Sequence, residues 1–182
     1  FSDDVRTEAG RVFERELHAR IPDANVIYVD PRIAAGMTAQ VLQAVEQAKT
    51  VIAAVYLIPT AGRAPVIVKG NVQNALEMTD ASGQLLHAML QRAAARTIMI
   101  SLGTPYLASS FPEVQNYLCT FSNATVSEVS AAKALFAEIT IRGHLPVTIP
   151  NIAARGAGIE KPGLIPPLAP AVQPGGSNAQ TK

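Results

Sequence analysis

Two stretches decide the fold: Thr50-Val51-Ile52-Ala53-Ala54-Val55-Tyr56-Leu57 and Thr97-Ile98-Met99-Ile100-Ser101-Leu102. Each is almost continuously apolar and rich in β-branched residues. A strand with one wet face alternates polar and apolar positions. An unbroken run of this length instead reads as a strand buried on both faces, as in a parallel sheet. Between them, residues 82–95 carry Leu85, Leu86, Met89, Leu90 and Ala93 at helical spacing. Strand, helix, strand is the pattern of a parallel crossover.

The same alternation continues on both sides. Upstream, Asp3 and Asp4 can cap a helix with Val5, Ala9, Val12, Phe13, Leu17 and Ile21 on one face. Val26-Ile27-Tyr28-Val29 reads as a short strand ended by Asp30-Pro31, and a helix follows with Thr38 as its cap and Val41, Leu42, Val45 and Ala48 on one side. Ala64-Pro65-Val66-Ile67-Val68 reads either as a short strand or as a packed loop. Downstream, Gly103-Thr104-Pro105 stops a strand and Tyr117-Leu118-Cys119-Thr120-Phe121 forms a shorter one. Thr125 and Glu128 fit a capping box at the head of a helix reaching about Ala137. Leu145-Pro146-Val147-Thr148-Ile149 is a final edge segment, since proline suits an edge and not a central strand. The expected architecture is α/β: a three-layer αβα sandwich with a mostly parallel sheet of five or six strands.

Residues 151–182 hold ten of the 25 glycines and prolines. They read as an extended arm or linker after a sandwich domain at 1–150. Phe1-Ser2-Asp3-Asp4 reads like the end of a strand running into a helix cap, as in a piece of something longer. If the first strand of the sheet precedes Phe1, a sheet position is left empty.

Composition narrows the function classes. Hydrophobic residues make up 48% and charged residues 16% of the 182, which excludes a disordered chain. Fifteen basic against fourteen acidic residues, no basic run and few aromatics disfavour a nucleic-acid partner. No apolar run approaches the roughly 20 residues of a membrane span, and residues 1–20 carry charges where a signal peptide needs an apolar run. The single Cys119 excludes an internal disulfide and a cysteine-based zinc site. Its apolar strand points to a buried, inert thiol. His18, His87 and His144 lack metal-ligand spacing, so no metal is expected. There is no Walker A pattern, no G-x-G-x-x-G after a strand and no G-x-S-x-G. The sequon at Asn123-Ala124-Thr125 coincides with the helix cap. Parallel α/β sheets bind ligands beyond the carboxyl ends of their strands. The loops 30–36, 58–70 and 103–111 are therefore the candidate ligand loops, with Arg63 and Lys69 the cations of the second.

Ser101-Leu102-Gly103-Thr104-Pro105-Tyr106-Leu107, Phe111-Pro112-Glu113-Val114-Gln115-Asn116-Tyr117-Leu118-Cys119-Thr120-Phe121-Ser122-Asn123 and Ile141-Arg142-Gly143-His144-Leu145-Pro146-Val147-Thr148-Ile149-Pro150 resemble the carboxy-terminal α/β sandwich domain of glycoside hydrolase family 3. They most resemble its β-N-acetylglucosaminidase (β-hexosaminidase) branch. The resemblance runs from the opening helix to Pro150. It implies a retaining β-glycosidase whose aspartate nucleophile lies on an N-terminal (β/α) barrel domain, with the carbohydrate substrate at the interface of the two domains and no cofactor. A second catalytic group would act as acid/base, about 5–5.5 Å from the nucleophile when both are carboxylates.

In β-glucosidase members the sandwich lends the acid/base glutamate from a loop like the one after Leu57. Residues 56–68 hold no Glu or Asp, which fits the hexosaminidase branch, whose acid/base is a histidine–aspartate pair on the barrel. Glu77 and Asp80 are substitutes by position, though both read better as helix-capping acids. This chain is then expected to carry no catalytic residue. The contact candidates for substrate or the neighbouring domain are Arg63, Lys69, Thr104 and Tyr106. The resemblance leaves the compartment open, a bacterial periplasm or a secreted enzyme being the settings it suggests. The alternatives are a stand-alone α/β module binding a carbohydrate or a protein, and a self-contained hydrolase. The latter needs a nucleophile and base in contact, for which no spacing is recognisable.

Overall fold

The computed structural model describes residues 1–2, 9–57, 66–68, 71–73, 78 and 80–164. The Asp3/Asp4 cap, Val5, Glu77, Arg63 and Lys69, and the arm beyond residue 164, lie outside the described residues. In chain order the elements are α1 (Arg11–His18), α2 (Ala34–Gln47), β1 (Val51–Tyr56), β2 (Val66–Val68), β3 (Asn71–Gln73), α3 (Asp80–Ala93), a 3-10 turn (Ala94–Arg96), β4 (Thr97–Leu102), α4 (Leu107–Ser110), β5 (Asn116–Cys119) and α5 (Thr125–Leu135). The class is α/β, with a parallel sheet ordered β1-β4-β5. Val51 pairs with Thr97 and Tyr56 with Leu102, while Ile98 to Ser101 pair with Asn116 to Cys119. β2 and β3 form a separate antiparallel pair, so the short-strand reading is realised at Val66–Val68.

Strand alternation divides the core into two. Ala53, Val55 and Leu57 of the β1 stretch point into a cluster with Val41 and Val45 of α2 and Leu86, Met89 and Leu90 of α3. Tyr56 points the other way, into a cluster with Phe13 of α1, Ile100 and Leu102 of β4, and Ala131 and Ala132 of α5. Helices thus cover both faces, which is why both strands are almost continuously apolar. Leu86, Leu90, Met99, Ile100 and Leu102 are fully buried.

Four expectations are corrected. First, the sheet has three strands among the described residues, not five or six. Among the described residues Val26–Val29 runs without strand pairing, its one ladder-like bond being Ser2 N–H to Val29 O at 3.2 Å. An isolated segment cannot form a ladder without a neighbour on at least one side. Second, Leu145–Ile149 does not join the sheet. It pairs with the segment after it: Leu145 N–H donates to Ala157 O, Ile149 N–H to Ala153 O and Ile141 N–H to Lys161 O, each at 2.8 Å. The chain from 153 to 161 is therefore hydrogen-bonded back onto 141–149. Gly158 allows this approach, since a Cβ there would lie 2.5 Å from Gly143 O. Third, Thr38 is no cap. α2 begins at Ala34, and the Thr38 hydroxyl donates back to Ala35 O at 3.1 Å. Fourth, the Thr125/Glu128 capping box does not form. The position ahead of α5 is Ala124 without a side-chain cap bond, and Glu128 is buried at 5% exposure and serves another helix.

That other helix is α1. The Glu128 carboxylate accepts the Phe13 N–H at 2.7 Å, in the first turn of α1, where N–H groups lack intrahelical partners and negative charge is favoured. At the far end of α1, Arg20 forks onto Glu138, with Nη2 to Oε2 at 2.7 Å, and reaches Glu16 at 2.9 Å. The fork raises the Arg20 pKa and lowers that of Glu138. α1 is thus tied to the α5 region at both ends.

Two glycines illustrate how space decides a substitution. Gly36, within α2, has nothing within 4 Å of a built Cβ. Gly36→Ala is expected to stabilise the fold by about 0.5–1 kcal/mol through helix propensity, read as a higher urea midpoint. Gly103 is the opposite case.

The Phe1 amine donates to Ala54 O at 2.9 Å. Burial lowers its pKa from 8.0 to about 6. In a purified chain that starts at Phe1, protonation of this amine therefore opposes folding. The destabilisation is complete below pH 6 and is relieved as the pH rises from 6 to 8, by about 2–3 kcal/mol. Of the other ionisable groups lining the cavity beside Phe1, Tyr28 is pushed up to about 12 and Tyr56 is raised as well, chiefly by burial. The Glu14 carboxylate accepts the Tyr28 O–H at 2.7 Å. Denaturation midpoints measured from pH 5.5 to 8.5 check this, and a flat profile would contradict it.

Candidate functional site

The carboxyl ends of β1, β4 and β5 lie together because the strands are parallel and in register. The turn after β4 is built from its own polar groups. Ser101 is fully buried, and its hydroxyl donates to Thr104 O. The Tyr106 N–H donates to Thr104 Oγ1 at 3.3 Å, and Tyr117 O–H donates to Pro105 O at 3.0 Å. Burial raises the Tyr117 phenol pKa, so it stays a donor at neutral pH.

Gly103 passes against the end of the β1 stretch with φ of 136°. A Cβ there would sit 2.2 Å from Leu57 O. Only glycine permits both the backbone conformation and the close approach.

The structure places the four sequence-derived candidates differently. Thr104 is buried at 4% exposure, and its oxygen serves the turn. Tyr106 is exposed at 38%, on the rim. Arg63 and Lys69 lie outside the described residues. Phe121, which sequence reasoning treated only as the end of a strand, follows β5 at the same edge, 41% exposed and with φ of 57°. A bulky residue in the left-handed region is unusual and strained by about 1–2 kcal/mol. Composition and periodicity carry no signal for it, because φ is set by the path after β5. Cys119 is half-buried with its thiol pKa raised by burial, the direction of an unreactive thiol.

Near this region a further pair of titratable side chains comes together that spacing did not show. His87 Nδ1 lies 3.0 Å from Glu113 Oε1, and the His87 ring packs on Phe111 with centroids 4.5 Å apart. A His–carboxylate pair can orient a base, but among the described residues neither side chain is hydrogen-bonded to a hydroxyl or thiol. Among the described residues no group of three or more His, Cys, Asp or Glu side chains could hold a metal ion, and no helix is long and apolar enough to cross a membrane. No family model, curated protein or solved structure matches the chain.

Proposed function

We propose that this chain is the carboxy-terminal, non-catalytic α/β domain of a retaining β-glycosidase of the β-N-acetylglucosaminidase type, in the manner of glycoside hydrolase family 3. Hydrolysis of O-glycosidic bonds in carbohydrate metabolism would then depend on a nucleophile carried by an N-terminal (β/α) barrel. The observation that carries this reading is the Gly103–Leu107 turn. Of the residues that prompted the resemblance, Gly103–Leu107 stand at the carboxyl edge of a parallel sheet, where α/β proteins meet ligands. Their polar groups are spent on holding the turn. Tyr106 and Phe121 are the exposed aromatics of that rim, and a ring face is what a sugar face stacks on. The three-layer sandwich of five or six strands belongs to the same proposal.

Purified chain is expected to show no turnover of an aryl β-N-acetylglucosaminide, and measurable turnover would sink the reading. An immunoblot of source cells supplies the positive arm. A band above about 45 kDa leaves room for a barrel of roughly 250 residues. A band near 19 kDa, the mass of this chain, favours a stand-alone module that binds a carbohydrate or a protein. Saturable sugar binding, lost on Tyr106→Ala or Phe121→Ala, separates those two ligands.

A further inference from the structure

A cavity of about 350 Å³ runs along the free side of β1, between Thr50–Ala54 and Asn25–Val29. It lies within the plane of the sheet. Phe13 and Leu17 of α1 line one side, and Val41 and Val45 of α2 line the other. At one end the gap is closed by Phe1 and Ser2, and this end fixes its width. Phe1 donates to Ala54 O and accepts the Tyr56 N–H, each at 2.9 Å, while Ser2 donates to Val29 O at 3.2 Å. Two residues thus bond β1 on one side and Val29 on the other, so the gap is one strand wide. The direction is parallel, with Ser2 opposite Tyr56.

From these bonds we propose that the cavity is a strand-receiving position, filled by an extended apolar segment of about five residues that runs parallel to β1 and leads directly into Phe1. Peptide groups of a strand alternate sides. Ile52 therefore turns its N–H and C=O, and Ala54 its N–H, toward the cavity, as Ala54 C=O and Tyr56 N–H do where Phe1 bonds them. Five residues ahead of Phe1 reach Thr50, about 17 Å away at strand rise. Their side chains would alternate between the α2/α3 core, where Phe1 already packs, and the Phe13 side. Both destinations are apolar, so the segment is apolar at every position, unlike a strand with a wet face. A peptide N–H in place of the buried Phe1 amine also removes a group that burial disfavours in its charged form. With this strand in place, Val26–Val29 gains a neighbour, and the sheet order becomes 26–29, new strand, β1, β4, β5.

The test compares two five-residue fusions ahead of Phe1, Val-Thr-Ile-Val-Val and Gly-Ser-Gly-Ser-Gly. Both replace the amine by a peptide bond, so their difference reports strand pairing alone. The Val-rich fusion is expected to raise the urea midpoint above that of the Gly-Ser fusion. It should also slow amide exchange at Ile52 and Ala54 by about tenfold or more. Equal midpoints with unchanged exchange overturn the proposal. Protection by a free peptide of the same sequence, with none in the fusion, overturns the continuity with Phe1. A midpoint that depends on protein concentration means exchange between copies and overturns it as well.

Discussion

Gly103→Ala unfolds at a clearly lower urea concentration than the parent chain, with a loss of about 3 kcal/mol. The added methyl would sit 2.2 Å from Leu57 O and 3.3 Å from its carbonyl carbon, and backbone cannot rotate aside as a flexible side chain can. The φ of 136° is a second, independent cost for any residue with a Cβ. Relief requires β4 and the end of the β1 stretch to separate, and these two strands form the best-registered pair in the sheet. For a chain of this size the loss lowers Tm by about 6–12 °C. Urea unfolding with an unchanged m-value checks it, with Gly36→Ala as the control that moves the other way. A Gly103→Ala midpoint within error of the parent would show that the Leu57 carbonyl has room to yield.

Glu128→Ala is the second large effect, expected to cost about 2–3 kcal/mol. Truncation leaves the Phe13 N–H without the acceptor it meets at 2.7 Å, in a place where water has little access. It also removes the negative charge from the first turn of α1 and the carboxylate that helps raise the Tyr56 phenol pKa. Glu128→Gln keeps an acceptor oxygen and loses only the charge, so its cost is expected near 1 kcal/mol. The ordering Ala worse than Gln worse than parent identifies the hydrogen bond as the main contribution. Equal losses for the two variants would assign the effect to charge instead. Amide exchange at Phe13 supplies a local readout, accelerated in the alanine variant more than at Leu102.

The sequence by itself determined the elements that are covered on both sides. Val51–Tyr56 and Thr97–Leu102 were legible because a two-faced core favours apolar residues at nearly every position, and α3 because its buried leucines recur at helical spacing. Gly103 was legible as a stop. Its close approach to Leu57 was not, because that contact joins residues 46 positions apart.

The tertiary structure alone decided what depends on a partner. Glu128 has the local signature of a capping box, yet a buried carboxylate is drawn to unpaired N–H groups, and those at the head of α1 lie against it. Val26–Val29 has strand composition, but a strand is completed by a neighbour's hydrogen bonds, and among the described residues only Ser2 reaches it. Leu145–Ile149 looked like a sheet edge and instead bonds the chain that follows. His87 and Glu113 meet across 26 positions. Periodicity reports which side of an element is buried. It carries no information on which distant backbone group or side chain will be waiting there, since that is fixed only when the helices close over the two faces of the sheet.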